Sequence, residues 1–247
     1  VVWLKTIFRQ AEGSGIITNA HRINRGEYPE FNTTDFFFVE RKDAVRTLET
    51  VVDLVVDRIP NKFDLDPIRD IQVLAPMHRG EAGVARLNET LQERLNPHGT
   101  PIPRRNLRVG DKVMQLRNNY ELDVYNGDVG VITLADEPTR EVQVTFDDRV
   151  VLYEFDDLDN LALAYAATVH KSQGSEYPAV VIPLLPEHFM LLQRNLLYTA
   201  VTRGKRLVIL VGNPKSVARA VRNDAITRRN TRLVDRLRGG GTKPTEN

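Results

Sequence analysis

The stretch ATVHKSQGSEYPAVVIP (residues 167–183) wedges a polar run, His170 to Glu176, between two apolar ones. It sets an imidazole, an ammonium, hydroxyls, an amide and a carboxylate beside Gly174. Such a set suits phosphates and sugars, since cations and hydroxyls bond phosphate oxygens while amides and carboxylates bond sugar hydroxyls. A second stretch, NLLYTAVTRGKRLVILVG (195–212), continues a helical pattern of Leu191, Leu192, Asn195, Leu196, Tyr198 and Thr199 and brings Arg203 to the helix end, just before an apolar run. Its guanidinium is expected at a domain edge, where a planar fork of donors can span two oxygens of a phosphoryl group. Near the start, IFRQAEGSGIITNAHRINRG (7–26) places Arg9 and Gln10 ahead of a helix that Ser14 can cap and Gly26 can end. Taken singly, each arginine reads first as a surface ion pair.

The elements that must position these residues alternate in period. From Asp43 to Ile59, Val45, Leu48, Val52, Val55 and Ile59 recur at three-to-four spacing, and Pro60 is expected to stop that helix. Val84, Leu87, Leu91 and Leu95 mark another, ending at Asn96-Pro97. The runs DFFFV (35–39), IQVLA (71–75), AVVIP (179–183) and LVILV (207–211) are short and continuously apolar, as strands covered on both faces are. The expectation is an α/β domain with a parallel sheet and helices on both faces. Between about residues 103 and 156 the period drops to two, with Val142, Val144 and Phe146 alternating with Gln143 and Thr145 and with turn signals at Asn126-Gly127 and Asp147-Asp148. A small antiparallel β module is thus inserted in the α/β domain. The expected divisions are 1–102 and 157–213 for the two parts of the α/β domain, 103–156 for the insertion, and 214–247 for a basic helix with a Gly-rich tail.

Composition narrows the classes. The 247 residues are 41% hydrophobic and 27% charged, enough for a sizeable core. No apolar run approaches the roughly 20 residues of a membrane span, so no membrane partner is expected. The absence of cysteine excludes a disulfide scaffold and thiolate metal sites and fits a reducing cytoplasm. The net charge of +1 conceals a basic tail, in which nine Lys or Arg between Lys215 and Lys243 face two acids, Asp224 and Asp235. Phosphate neutralisation and a solvated basic helix explain that tail equally well. The pattern G-x-x-x-x-G-K-[ST] does not occur, Gly239-Gly240-Gly241-Thr242-Lys243 follows no strand, and Asp136-Glu137 reads as a hairpin loop before Pro138. The chain by itself is therefore not expected to hold ATP and magnesium, and the lack of an initiator Met suggests a piece of something longer.

Together the motifs resemble those of superfamily 1 helicases: residues 167–183 and 195–212 are similar to the fifth and sixth motifs, and Phe8-Arg9-Gln10 to the fourth. VLAPMHRGEAGVARLNETLQERLNP (73–97) and RVGDKVMQLRNNYELDVYNGDVGVI (108–132) resemble the RecD-like branch, which carries an SH3-like barrel in its second RecA-like domain. The resemblance implies the C-terminal motor half of an ATP-dependent 5′–3′ DNA helicase, with the phosphate loop and Mg²⁺ ligands supplied by an N-terminal motor domain of the same protein. It implies that Arg9 and Arg203 reach the γ-phosphate as arginine fingers, and that Gly174 and Glu176 lie at the nucleotide's edge with Gln10. Gln173 would link that edge to the DNA side. Thr168, His170 and Lys171 would touch the backbone of single-stranded DNA near a duplex junction, and His78 and Arg79 are further backbone-contact candidates. Two other readings stay open: a non-enzymatic nucleic-acid-binding module with structural arginines, and a translocase or RNA-directed relative.

Overall fold

The computed structural model describes residues 13–225. In chain order its strands are β1 Phe36–Glu40, β2 Ile71–Ala75, β3 Lys112–Gln115, β4 Val129–Asp136, β5 Glu141–Phe146, β6 Arg149–Glu154, β7 Leu161–Leu163, β8 Ala166–Thr168, β9 Tyr177–Leu184 and β10 Gly204–Gly212. The α-helices are α1 Gly15–Asn24, α2 Ala44–Asp53, α3 Ile59–Phe63, α4 Val84–Leu95, α5 Arg194–Val201 and α6 Pro214–Arg222. No helix among the described residues is long and apolar enough to cross a membrane.

A parallel sheet runs in the order β1-β10-β9-β2-β8. Its central strands are apolar throughout because both faces are covered. On β9, Val180, Ile182 and Leu184 pack with Ile16 and Ile23 of α1, Leu197 of α5 and Val217 of α6. Ala179 and Val181, pointing the other way, pack with Val51 of α2, Ile59 of α3 and Leu87 of α4. The order leaves β1 at an edge, where Phe36 is buried but Glu40 is exposed.

Two details depart from the sequence pattern. Pro60 does not stop its helix: a π turn over Leu54–Arg58 precedes it, and Ile59 donates to the Leu54 carbonyl. The wide turn shifts the ladder by a residue and leaves Pro60 in the first turn of α3, where a missing N–H costs little. The other edge strand, β8, is Ala-Ala-Thr and carries no strand signal. Its backbone is held by Asn88 of α4, whose amide donates to the carbonyls of Leu163 and Ala166 and accepts from the Ala166 N–H at 2.8 Å.

Between α4 and β8 the chain builds a second, antiparallel sheet, ordered β6-β5-β4-β3-β7. Asp147-Asp148 forms its tightest hairpin, with Phe146 opposite Arg149 and Asp147 at φ 49°. Residues 137–140 turn between β4 and β5, so Asp136-Glu137 belongs to a hairpin. The sheet has a core of its own, in which Ile132, Val142, Val144 and Tyr153 are buried.

Two polar side chains bolt this module to the parallel sheet. The Asp111 carboxylate, with no exposed surface, accepts from Gln92 at 2.5 Å, Asn96 at 2.7 Å, the Arg108 N–H at 2.7 Å and the Tyr165 hydroxyl at 3.0 Å. Next to it, Lys112 buries its ammonium, donates to the Ile71 carbonyl at 2.9 Å and lies 5.7 Å from the Tyr177 ring centroid. Burial pushes its pKa from 10.5 down to about 7.

Truncating Asp111 strands four donors, whereas Tyr165→Phe removes one. Urea unfolding should show a loss of more than about 3 kcal/mol for Asp111→Ala against about 1.5 kcal/mol for Tyr165→Phe; equal losses would mean the carboxylate is not the hub. Lys112 sets a pH dependence. Between pH 7 and 10.5 the unfolded chain holds a proton on this amine that the folded chain has released. Wild type should therefore gain stability relative to Lys112→Met as pH rises through that window, with no relative change below pH 7. Parallel stability curves across the window would contradict this.

Candidate nucleotide and nucleic-acid site

The chemistry-bearing run lies in a tight turn after β8. The N–H groups of Lys171 and Ser172 donate to the Thr168 carbonyl at 3.0 and 3.3 Å, and the buried Ser172 hydroxyl donates to the Val169 carbonyl at 2.8 Å. Val169 is buried, while His170, Lys171, Gln173 and Gly174 are exposed. Gly174 ends the turn at φ +96° with open space where a Cβ would stand, so the backbone conformation alone demands glycine.

This winding sorts the residues by side. At about 100° per residue, positions three apart share a face. Thr168 and Lys171 accordingly line a cavity of about 380 Å³ together with His78, Asn88 and Leu116. His170 and Gln173 line a different one, of about 200 Å³, with Asn195 and Thr199 of α5. Three residues expected to act as one cluster are thus divided between two cavities. His78 reaches the first from the loop before α4, where the His78 carbonyl accepts the Ala85 N–H at 3.1 Å and Arg79 is exposed. That loop folds tightly onto the helix start: a Cβ on Gly83 would lie 2.4 Å from the Arg79 carbonyl oxygen.

Arg203 departs from the expected edge position and is only 8% exposed. After α5 the chain turns at once into β10, and the guanidinium folds back over the helix end, where carbonyl oxygens attract a cation. Its Nε donates to Thr199 O at 3.3 Å and its Nη1 to Ser175 O at 2.9 Å, while its own carbonyl accepts the Tyr177 N–H at 2.9 Å. Glu176 pairs with Lys205 at 3.2 Å. Arg9 and Gln10 lie outside the described residues. Among the described residues, no group of three or more His, Asp or Glu could hold a metal ion. Of the partners that sequence reasoning missed, Ser172 bonds within its own turn, whereas Lys205 and Lys112 carry no local signal because each gains its role from a neighbour far along the chain.

Residues 87–146 match the ATP-dependent RecD-like DNA helicase SH3 domain family, and residues 163–211 match the UvrD-like helicase C-terminal domain. The ATP-dependent RecD2 DNA helicase of Deinococcus radiodurans is 34% identical over 244 residues, 95% of this chain. The chain belongs to the RecD-like superfamily 1 helicases. A RecBCD enzyme subunit RecD of Mycolicibacterium smegmatis is 36% identical over 171 residues, 69% of the chain. The RecD-like chain spans 32% of the first relative's length and 30% of the second's. In fold it is similar to a Pif1 helicase from Bacteroides, solved in complex with ADP-AlF3 and ssDNA, at 20% identity and a TM-score of 0.51, over 85% of this chain and 51% of that one. It is similar also to a Pif1 helicase from Candida albicans, at 18% identity and a TM-score of 0.51, over 90% of this chain and 57% of that one.

Proposed function

We propose that this chain is the C-terminal motor half of an ATP-dependent 5′–3′ DNA helicase, in which the turn at 168–176 couples nucleotide to single-stranded DNA. The motor domain would comprise 1–102 and 157–213, with 103–156 inserted. The observation that carries the reading is the 2.9 Å bond from Arg203 to the Ser175 carbonyl, because it ties a candidate finger to the turn that also holds Thr168 and Lys171. Gly174, Glu176 and Gln173 lie in the same turn and would face the nucleotide with Arg9 and Gln10, while Thr168, Lys171, His78 and Arg79 would meet the strand, aided by His170. The donor set suits ATP on this side only: a positive-φ glycine with open space and a guanidinium fit phosphate edges, but the phosphate loop and Mg²⁺ ligands would come from the N-terminal motor domain. ATP with Mg²⁺ supplies the free energy of phosphoanhydride hydrolysis. Arg203 would exchange the Ser175 carbonyl for phosphate oxygens, and the released carbonyl would let the turn, with Lys171, shift on the strand. The burial of Arg203 favours a second reading, in which it is structural and the chain binds nucleic acid without turnover.

Arg203→Ala in the full-length protein separates the two. Loss of an arginine finger lowers kcat by about 10³-fold or more, and because the side chain also anchors Ser175, some loss of melting temperature accompanies it. Normal turnover with lowered stability assigns Arg203 to the structural reading. For the strand side, Lys171→Ala should weaken binding to poly-dT and to a mixed sequence equally and make the log-log salt slope shallower by about 0.7, one phosphate's share. An unchanged slope removes Lys171 from the backbone contacts.

A further inference from the structure

The loop joining β3 to β4 presents two exposed tyrosines whose hydroxyls bond only within the loop, Tyr125 donating to Asp123 at 2.8 Å and Tyr120 accepting from Asn118 at 3.3 Å. Tyr120 is 76% exposed and Tyr125 43% exposed, with ring centroids 6.1 Å apart and planes at 78°. Aromatic rings contribute most when covered, so an exposed pair points to a ligand that covers them. The loop is pinned in advance. Asn119 and Val124 exchange backbone hydrogen bonds at 2.7 and 3.0 Å, Val124 is buried, and the Asn118 and Asp128 side chains accept the N–H groups of Asn126 and Tyr125. Little ordering is left to be lost on binding.

The loop also sits beside the strand-facing cavity. A Cβ on Gly127 would lie 3.4 Å from the Lys171 carbonyl, and Leu116, where the loop begins, lines the cavity with Thr168 and Lys171. Its charge suits one side of a nucleotide. The exposed carboxylate of Glu121 flanks the rings and repels phosphate, that of Asp123 is paired with Arg149 at 3.5 Å, and an uncharged base face meets no such barrier; the exposed cations Arg117 and Lys171 lie at the loop's start and across the boundary. We propose that Tyr120 and Tyr125 form a stacking platform for unpaired nucleobases of a strand whose backbone is held at Thr168 and Lys171. This rests on the single-strand contact proposed above, and it is indifferent to base identity because every base offers a π face.

In the full-length protein, oligo-dT and an abasic strand of equal length are titrated against wild type, the Tyr120→Ala/Tyr125→Ala pair, the Tyr120→Phe/Tyr125→Phe pair and Lys171→Ala. The alanine pair should weaken oligo-dT binding about tenfold or more, the scale of one lost base stack, and leave the abasic strand unaffected. The phenylalanine pair should bind like wild type, since it keeps the faces. If the alanine pair binds oligo-dT normally while Lys171→Ala weakens it, the platform falls and the strand contact stands. Equal loss on both strands, or a phenylalanine pair as weak as the alanine pair, also overturns the platform. If wild type binds neither strand, the functional reading fails and the platform with it.

Discussion

The Asp111 carboxylate holds the two halves of this molecule in one arrangement. Its four donors come from α4 and the cap that follows it, from the module's own loop, and from Tyr165 just before β8. A buried carboxylate is costly to desolvate, and only a full set of donors offsets that cost. The module must therefore keep one position relative to α4 and the β8 edge. Through β8 that constraint reaches Thr168 and the turn behind it, so the geometry of the candidate site depends on a contact outside it.

The turn itself converts backbone geometry into a division of labour. Because its N–H groups bond back to Thr168 and His170, the side chains spread around a helical arc and successive residues face different cavities. Arg203 adds a tie from β10's entry to the Ser175 carbonyl, and Lys205 a tie to Glu176. Both cations thereby bond the segment that carries Lys171 from the β10 side. This explains why the guanidinium is buried: it serves as the turn's anchor as well as a cation.

Lys112 makes the junction sensitive to its surroundings. A buried amine with one carbonyl acceptor and an aromatic neighbour is stable in either protonation state only at a cost, and burial lowers its pKa to about 7. It closes the same seam that Asp111 opens, on the side of β2 and β9.

Much was legible in local pattern. The alternation of apolar runs with three-to-four periodic helices specifies a parallel sheet covered on both faces, because β2, β9 and β10 can bury both sides only there. The period-two segment with Asp147-Asp148 specifies an antiparallel insertion, Ser14 marks the start of α1 by its hydroxyl, and Asn96-Pro97 marks the end of α4. The residue types in 168–176, with Arg203, carry the resemblance that family comparison bears out. Tertiary structure decided what no window contains. β8 is a strand because Asn88 and β2 pair with it, since Ala-Ala-Thr has little β propensity of its own. Pro60 stays within a helix because packing supports a π turn ahead of it. Arg203 is buried because its acceptors at Ser175 and Thr199 meet only when β9 and α5 are assembled, and Asp111 and Lys112, an ordinary charged pair in the sequence, become a seam only when α4 and β2 enclose them. Local pattern reports which surfaces must be covered; which polar groups end up facing one another is a property of the whole packing.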